Sequence, residues 1–382
     1  MKYFDHAAST PPHPEVIRTV TEVMQSHYGN PSSLHAAGEA GMKLVQRARE
    51  VSAAALGVLP GEVVFTSGAT ESNNLAVKGA AFQYMKRGKH LITTMVEHPS
   101  VYEAFRQLEQ LGFEVTYLPV RSGGSVDPQD VIKAVRKDTI LASIMHVNNE
   151  TGSIQPVEEI GRQLKQIHPR VLFHVDGVQG FGKLPLNLKD CGIDLYSLSA
   201  HKIRGPKGTG LLYVRSGVKL LPLLSGGGQE GGVRSGTENV PALVGMAKAL
   251  RLAKEQQEDL GGRLRLIRQR ILEGLADLPD LVLNSPQDGA PHIVHFSFPG
   301  MKPEVVLHCL EEHGMEVSTK SACSSKTTEP SRVLLAMGKA NEIAASGIRI
   351  SLGNEHTTED ADFLIQAVRS VVKRLVGLKG GL

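Results

Sequence analysis

Residues 197–210 read SLSAHKIRGPKGTG, and the half-apolar DLYSL at 194–198 that leads into them has the make-up of a short strand. That strand runs into Ser199, Ala200, His201 and Lys202, after which Gly205, Pro206, Gly208 and Gly210 punctuate a loop. Lys202 therefore stands where a strand gives way to a glycine-rich turn. A lysine amine is a nucleophile near neutral pH only when desolvation or a neighbouring positive group depresses its pKa. The apolar strand upstream and the basic residues His201, Arg204 and Lys207 supply both influences. Taken alone, the segment reads equally well as a surface lysine beside a turn.

Outward from Lys202, strands and helices alternate. EVVFTSGATESNN (62–74) predicts a strand at 63–66, a turn at Ser67 and Gly68, and a helix from Ala69. Free backbone N–H groups and the helix dipole make such a turn an anion site; Gly68 lets a ligand approach and the Thr70 hydroxyl adds a donor. Thr70 with Asn73 also reads as a plain helix cap. Further strands are expected at 90–95, 114–118, 140–147 and 171–175, with helices at 102–111, 128–137 and 157–167. An amphipathic helix over 36–56 follows from Leu44, Val45, Ala48, Val51 and Ala55, with Ser33 as its cap. Apolar strands alternating with helices imply parallel strands buried on both faces, and ligands on such sheets bind beyond the strand carboxyl ends. His98, Asn149, Asp176, Lys202 and the Gly68–Thr70 turn all fall at such ends.

At 382 residues the chain exceeds the size at which a single core stops growing, so two domains are expected. The large α/β domain spans 15–250. From 251 the pattern shifts to a long helix at 256–278, an alternating strand at 292–298 and helices at 304–313 and 363–375. These form a smaller α+β domain, completed by an N-terminal arm, residues 1–14. Hydrophobic residues at 41% and charged residues at 21% are ordinary for a globular protein. A net charge of +3 is too small for a nucleic-acid surface, and neither a membrane-spanning run nor a signal peptide is seen, so a cytoplasmic location is expected. Three cysteines cannot build a disulfide framework, no CxxC pair suggests zinc, and no GxxxxGK[ST] loop is present.

An anion cradle, a lysine amine and a buried carboxylate together match pyridoxal 5'-phosphate (PLP), whose ring acts as an electron sink while a carboxylate keeps its pyridine nitrogen protonated. TSGATESNN, TMVEHPS, MHVNNETG, HVDGVQ, SAHKIRGPKG, GGGQEGGVRSGT, SACSS and IRISLG together resemble the NifS/IscS-type cysteine desulfurases of the class-V aminotransferase-like superfamily, nearly end to end. The resemblance implies the fold type I of PLP-dependent transferases. It implies that Lys202 holds the cofactor, Asp176 pairs with its ring nitrogen and His98 stacks on the ring. Ala69, Thr70, Ser199 and His201 would surround the phosphate, with Asn149 and Gln179 on the ring side. Thr237 would reach the phosphate of a partner subunit, making a homodimer. Arg349 would pair with the substrate carboxylate, with Asn149 beside it, although alternation along IRISL alone reads it as a solvated arginine. Ala200 departs from the glycine common before the His-Lys pair, and its methyl is expected to tighten the pocket.

The segment 318–330, STKSACSSKTTEP, has no apolar period and predicts a flexible exposed loop around Cys323, whose thiol Lys320 and Lys326 would lower modestly. Cys309, on an apolar helix, and Cys191, before a strand, read as buried packing. The implied reaction has L-cysteine displace Lys202 from the cofactor. The freed amine then takes the α-proton with His98 assisting, and the Cys323 thiolate takes the sulfur as a persulfide, leaving alanine. Sulfur would then pass to an acceptor protein: an iron–sulfur scaffold, a tRNA thiolation enzyme or a thiamine-pathway carrier. Two alternatives share parts of the pattern. One is a selenocysteine lyase or small-substrate aminotransferase; the other is a non-catalytic or nucleotide-binding α/β protein using GPKGTG.

Overall fold

Neighbouring residues on one strand go to opposite cores. Leu91, Leu141, Leu172 and Leu212 join one apolar cluster, while Ile92, Ala142, Phe173 and Leu211, each adjacent to one of them, join another. A sheet buried on both faces needs helices on both sides, and this chain provides them. The computed structural model describes residues 1–319 and 329–379. It begins with β1 (Lys2–Tyr3), α1 (Pro14–Ser26) and α2 (Ala36–Leu56). There follow β2 (Val63–Thr66), α3 (Ala69–Tyr84), β3 (His90–Thr94), α4 (Pro99–Gln110) and β4 (Glu114–Leu118). Then come α5 (Pro128–Ala134), β5 (Thr139–Ser143), α6 (Val157–Ile167), β6 (Leu172–Asp176), β7 (Leu195–Ser199), β8 (Gly210–Val214) and α7 (Val240–Glu255). The sheet order is β2-β8-β7-β6-β5-β3-β4, and only β8 runs against the rest. The glycine run after Lys202 leads straight back along β7 as β8, so Gly210 packs on Gly68; a Cβ there would sit 2.5 Å from the Gly68 carbonyl carbon.

The remainder adds α8 (Gln257–Leu275), β9 (Val282–Leu283), β10 (Ile293–Ser297), α9 (Pro303–Glu312) and β11 (Met315–Glu316). It closes with α10 (Arg332–Ala336), α11 (Asn341–Ala345), β12 (Gly347–Ser351) and α12 (Thr358–Lys379). β10 lies between β9 and β12, and β1 pairs with β11. Phe4 from the arm packs in a third apolar cluster, whose other members run from Leu260 to Leu375. A small fourth cluster joins Val96 and Met145 to Val333 and Leu334, tying the two parts of the chain together beside the sheet ends.

Several expected boundaries move. β5 stops at Ser143 instead of 147, because residues 144–155 turn back on themselves through the Val147–Ile154 bridge. The cap of α2 is His35, whose Nδ1 accepts from the Gly38 N–H at 3.2 Å, and not Ser33. Cys191 and Cys309 are free and buried, as their surroundings predict. No helix among the described residues is long and apolar enough to cross a membrane.

Candidate active site

A cleft of about 500 Å³ opens beyond the carboxyl ends of β2, β5, β6 and β7. The structure brings ten of the twelve predicted site residues to its walls. Ala69 and Thr70 come from the start of α3, His98 from the start of α4, and Asn149 from the loop after β5. Asp176 and Gln179 follow β6, Ser199, His201 and Lys202 follow β7, and Arg349 comes from β12.

The turn and the helix start after β2 form where the sequence predicts them. Gly68 is the N-cap of α3 at φ 153°, ψ 172°, a conformation essentially closed to other residues, and no side chain caps the helix. Neither Thr70 nor Asn73 serves as the cap. The first N–H groups of a sixteen-residue helix therefore face the cleft. His201 stands nearby; burial, with the charges of Lys202 and Lys207, pulls it down to about 4, so it is neutral at physiological pH.

Lys202 is held by the N-terminal arm, which the sequence reading treats only as domain filler. Its Nζ donates to the Ala7 carbonyl at 2.5 Å and to the Ala8 carbonyl at 2.8 Å. Thr10 fastens the arm to the lysine loop: its N–H and hydroxyl both donate to the His201 carbonyl, and its hydroxyl oxygen accepts from the Arg204 N–H at 2.8 Å. Arg204 adopts φ 62°, left-handed for a residue with a Cβ, and is held there by Thr10 and by the His13 N–H. Ala200 does not tighten the pocket. It is fully buried in the core, where its Cβ would crowd any side chain at Gly205.

The floor of the cleft is a buried polar chain. Asp176, 5% exposed, accepts at Oδ1 from the Val178 N–H at 3.0 Å and at Oδ2 from Asn73 Nδ2 at 2.8 Å. Burial raises its pKa, against the pull of those two donors and of Lys202. A buried carboxylate of this kind is stabilised by a cationic N–H partner in the cleft. Asn73 Nδ2 also donates to Ser100 Oγ at 2.9 Å, and Ser100 Oγ lies 2.8 Å from His98 Nδ1. Burial first, then the charges of Lys202, Arg332 and Arg349, pulls His98 down to about 4. Asn73 and Ser100 escape a sequence reading because within ESNN and HPS they look like ordinary cap residues.

On the opposite wall Arg349 is 1% exposed, so β12 is covered on both faces and the solvated reading fails. Its Nη1 donates to the Asn149 carbonyl at 2.9 Å and its Nη2 to Asp5 at 2.8 Å, while its buried Nε has no partner among the described residues. An arginine so placed can take a carboxylate. Gln179 is held by the Ala7 carbonyl at 3.0 Å and by His292, whose Nε2 lies 3.3 Å from Oε1.

One predicted residue is placed elsewhere and another is not among the described residues. Thr237 lies outside the cleft, in a separate surface pocket beside Met24 and Tyr28. Cys323 lies outside the described residues, as do Lys320 and Lys326. The remaining set can hold a planar ring with a basic nitrogen over Asp176, an attached phosphate at α3 and a carbonyl at Lys202.

The class-V aminotransferase model matches residues 2–364. The chain is 44% identical over 375 residues to a protein named cysteine desulfurase IscS from Dictyoglomus turgidum, covering 98% of this chain and 95% of that one. A solved NifS-like protein superposes with a TM-score of 0.91 at 39% identity, over 97% of this chain and 99% of the other. A structure titled SspA in complex with cysteine matches with a TM-score of 0.81 at 38% identity, over 92% of this chain and 99% of that chain.

Proposed function

This chain belongs to the class-V aminotransferase family as a cysteine desulfurase of the NifS/IscS type, and from that premise we propose how its residues divide the work. The family depends on PLP. The buried carboxylate, the lysine amine and the uncapped α3 N-terminus meeting in one cleft carry the assignment of that cofactor to this site. Once bound, PLP supplies an aldehyde for amines and an electron sink for the bond-breaking steps.

Lys202 Nζ is the amine that would hold the cofactor and, once freed, would take the substrate α-proton. Asp176 would hold the ring nitrogen as its protonated partner, and His98 would cover the ring. Ala69, Thr70, Ser199 and His201 bind the phosphate with neutral donors and the helix dipole. Asn149 and Gln179 hold the ring hydroxyl, and Arg349 with Asn149 orients the L-cysteine carboxylate. The Cys323 thiolate attacks the substrate sulfur. The sulfur–sulfur bond forms as the carbon–sulfur bond breaks, and the carbon takes a proton to give alanine. The persulfide then passes to a sulfur-acceptor protein, an iron–sulfur scaffold or a tRNA thiolation enzyme, in the cytoplasm and without contact to nucleic acid or membrane.

We further propose a homodimer in which Thr237 completes the partner's phosphate site. Thr237 lies outside its own cleft, in a pocket with the strongly exposed apolar residues Met24 and Tyr28. Residues 15–250 would fold as the large domain, and 1–14 with 251–382 as the small one carrying the 318–330 loop. Cys323→Ser is the test: persulfide and turnover vanish while the bound cofactor's visible absorbance stays. Desulfuration at the normal rate in that variant would contradict the assignment.

A further inference from the structure

We propose that Asn73 and Ser100 lock His98 in the tautomer that carries its proton on Nε2, which makes the ring a hydrogen-bond donor at Nε2 and denies it the role of base there. The inference deepens the PLP-site reading and rests on it for its consequence. The bonds themselves are all made by protein atoms.

The polarity is fixed one group at a time, starting at Asp176. An ionised carboxylate only accepts, so the Asn73 atom 2.8 Å from Oδ2 is the amide nitrogen; the carbonyl oxygen there would set two acceptors face to face. The same nitrogen lies 2.9 Å from Ser100 Oγ, so its second hydrogen is donated to the serine oxygen. The serine hydroxyl hydrogen then remains for its other neighbour, His98 Nδ1 at 2.8 Å. The Ser100 backbone N–H, 3.2 Å from that nitrogen, is a second donor to it. A ring nitrogen facing two donors presents its lone pair, and a neutral imidazole then keeps its hydrogen on the other nitrogen.

The plain alternative is helix capping. His98 is the N-cap of α4, and the backbone bond alone satisfies that role. Capping asks nothing of the serine hydroxyl or of Asn73, both of which point into the polar chain instead of to solvent. Asn73 is fully buried, and its Nδ2 bridges Asp176 to Ser100, whose hydroxyl reaches His98. The charge state of Asp176 is thereby transmitted to the tautomer of His98. A donor at Nε2 favours an anionic substrate group, such as a thiolate, over a neutral one. It also leaves α-proton removal to Lys202. Asn73 and Ser100 act through His98 and are positioning residues.

Nitrogen NMR of the full-length protein with isotope-labelled histidine, at pH 8, tests this, with His98 assigned by comparison with His98→Gln. The expected spectrum shows a bare, hydrogen-bonded Nδ1 and a protonated Nε2, in the holoenzyme and in the cofactor-free protein alike. Failure of PLP to bind would overturn the proposed function and leave this result standing. In Ser100→Ala the Nδ1 signal moves to the position of a less strongly hydrogen-bonded nitrogen. The kcat falls roughly 2- to 10-fold, the worth of one hydrogen bond, with KM for cysteine unchanged. Ser100→Thr, which keeps the hydroxyl, restores both. A wild-type ring protonated on Nδ1, or on both nitrogens, overturns the proposal, as does an unchanged His98 spectrum in Ser100→Ala. If Ser100→Ala does not fold, the wild-type spectrum decides alone.

Discussion

The two walls of the cleft are made in opposite ways. The sheet wall, with Asp176, Asn73, Ser100, His98 and the α3 N-terminus, comes from strand ends and the first turns of helices between residues 68 and 176, each group held by near neighbours in the fold. The other wall joins the chain's two ends. Arg349 pairs with Asp5 across 344 residues of sequence, and the Ala7 and Ala8 carbonyls hold Lys202 from 195 and 194 residues away. A wall built into a sheet is rigid, and its groups serve chemistry through fixed direction and charge. The arm and β12 are held by contacts distant in sequence, and apart from Lys202, which follows β7, the groups of this wall serve binding and the docking itself.

Changes on the first wall should therefore strike kcat, and changes on the second KM or stability. Of the residues on the two walls, the largest effect is expected at Asp176. Asp176→Asn keeps the size and loses the charge, so kcat should fall by roughly a thousandfold with KM little changed, measured by alanine release. A rise in KM with kcat intact would break the contrast. Arg349→Lys keeps the charge but loses the fork, and should raise KM for cysteine roughly 100-fold while kcat changes far less. Steady-state kinetics on the two variants side by side sharpens the comparison.

The pH dependence of stability probes the buried interior as a whole. His98, His146 and His201 sit near 4, and His174 and His295 near 3, mainly because burial penalises their charged forms. Unfolded, each takes a proton near 6.5, so between about 6.5 and 4 the unfolded chain binds more protons and stability falls as pH falls. Each histidine contributes up to about 1.4 kcal/mol per pH unit in that window. Glu97, raised to about 8 by burial, works in the other direction above its ordinary value near 4.5. Asp176, also raised by burial, acts in the same direction as Glu97, and two carboxyls against five imidazoles still leave the net slope positive. Urea midpoints measured at pH 7, 6 and 5 should fall in that order, and a flat series would contradict the burial of these rings. The smallest effect is expected at the arm: Thr10→Val removes the hydroxyl bonds to His201 and Arg204, so the urea midpoint should report a loss of about 1–2 kcal/mol with most activity retained.

The same contrast explains what could be read in advance. Strand-end residues such as His98, Asp176 and Lys202 are legible because apolar strands announce their own ends, and a parallel sheet sends its ligands there. The start of α3 is legible because a short turn, Ser67 and Gly68, follows a β-branched strand. Arg349 is not legible from alternation, since its strand is covered on both faces and the polar partners come from residues 5 and 149. Neither is the lysine's resting place on Ala7 and Ala8, because two alanine carbonyls carry no sequence signal. Asn73 and Ser100 hide as cap-like residues in helix starts. α7 and β8 are short on periodic contrast: α7 buries Val240, Ala242, Leu243, Met246 and Ala247 nearly all round, and β8 follows a glycine run that reads as loop.

The central claim is that the Lys202 amine carries the cofactor. Borohydride reduction of the holoenzyme followed by peptide mapping should place a single pyridoxyl group on residue 202, in the peptide containing SAHKIRGPKG. A label on another lysine, or none on a protein that still desulfurates cysteine, would contradict it.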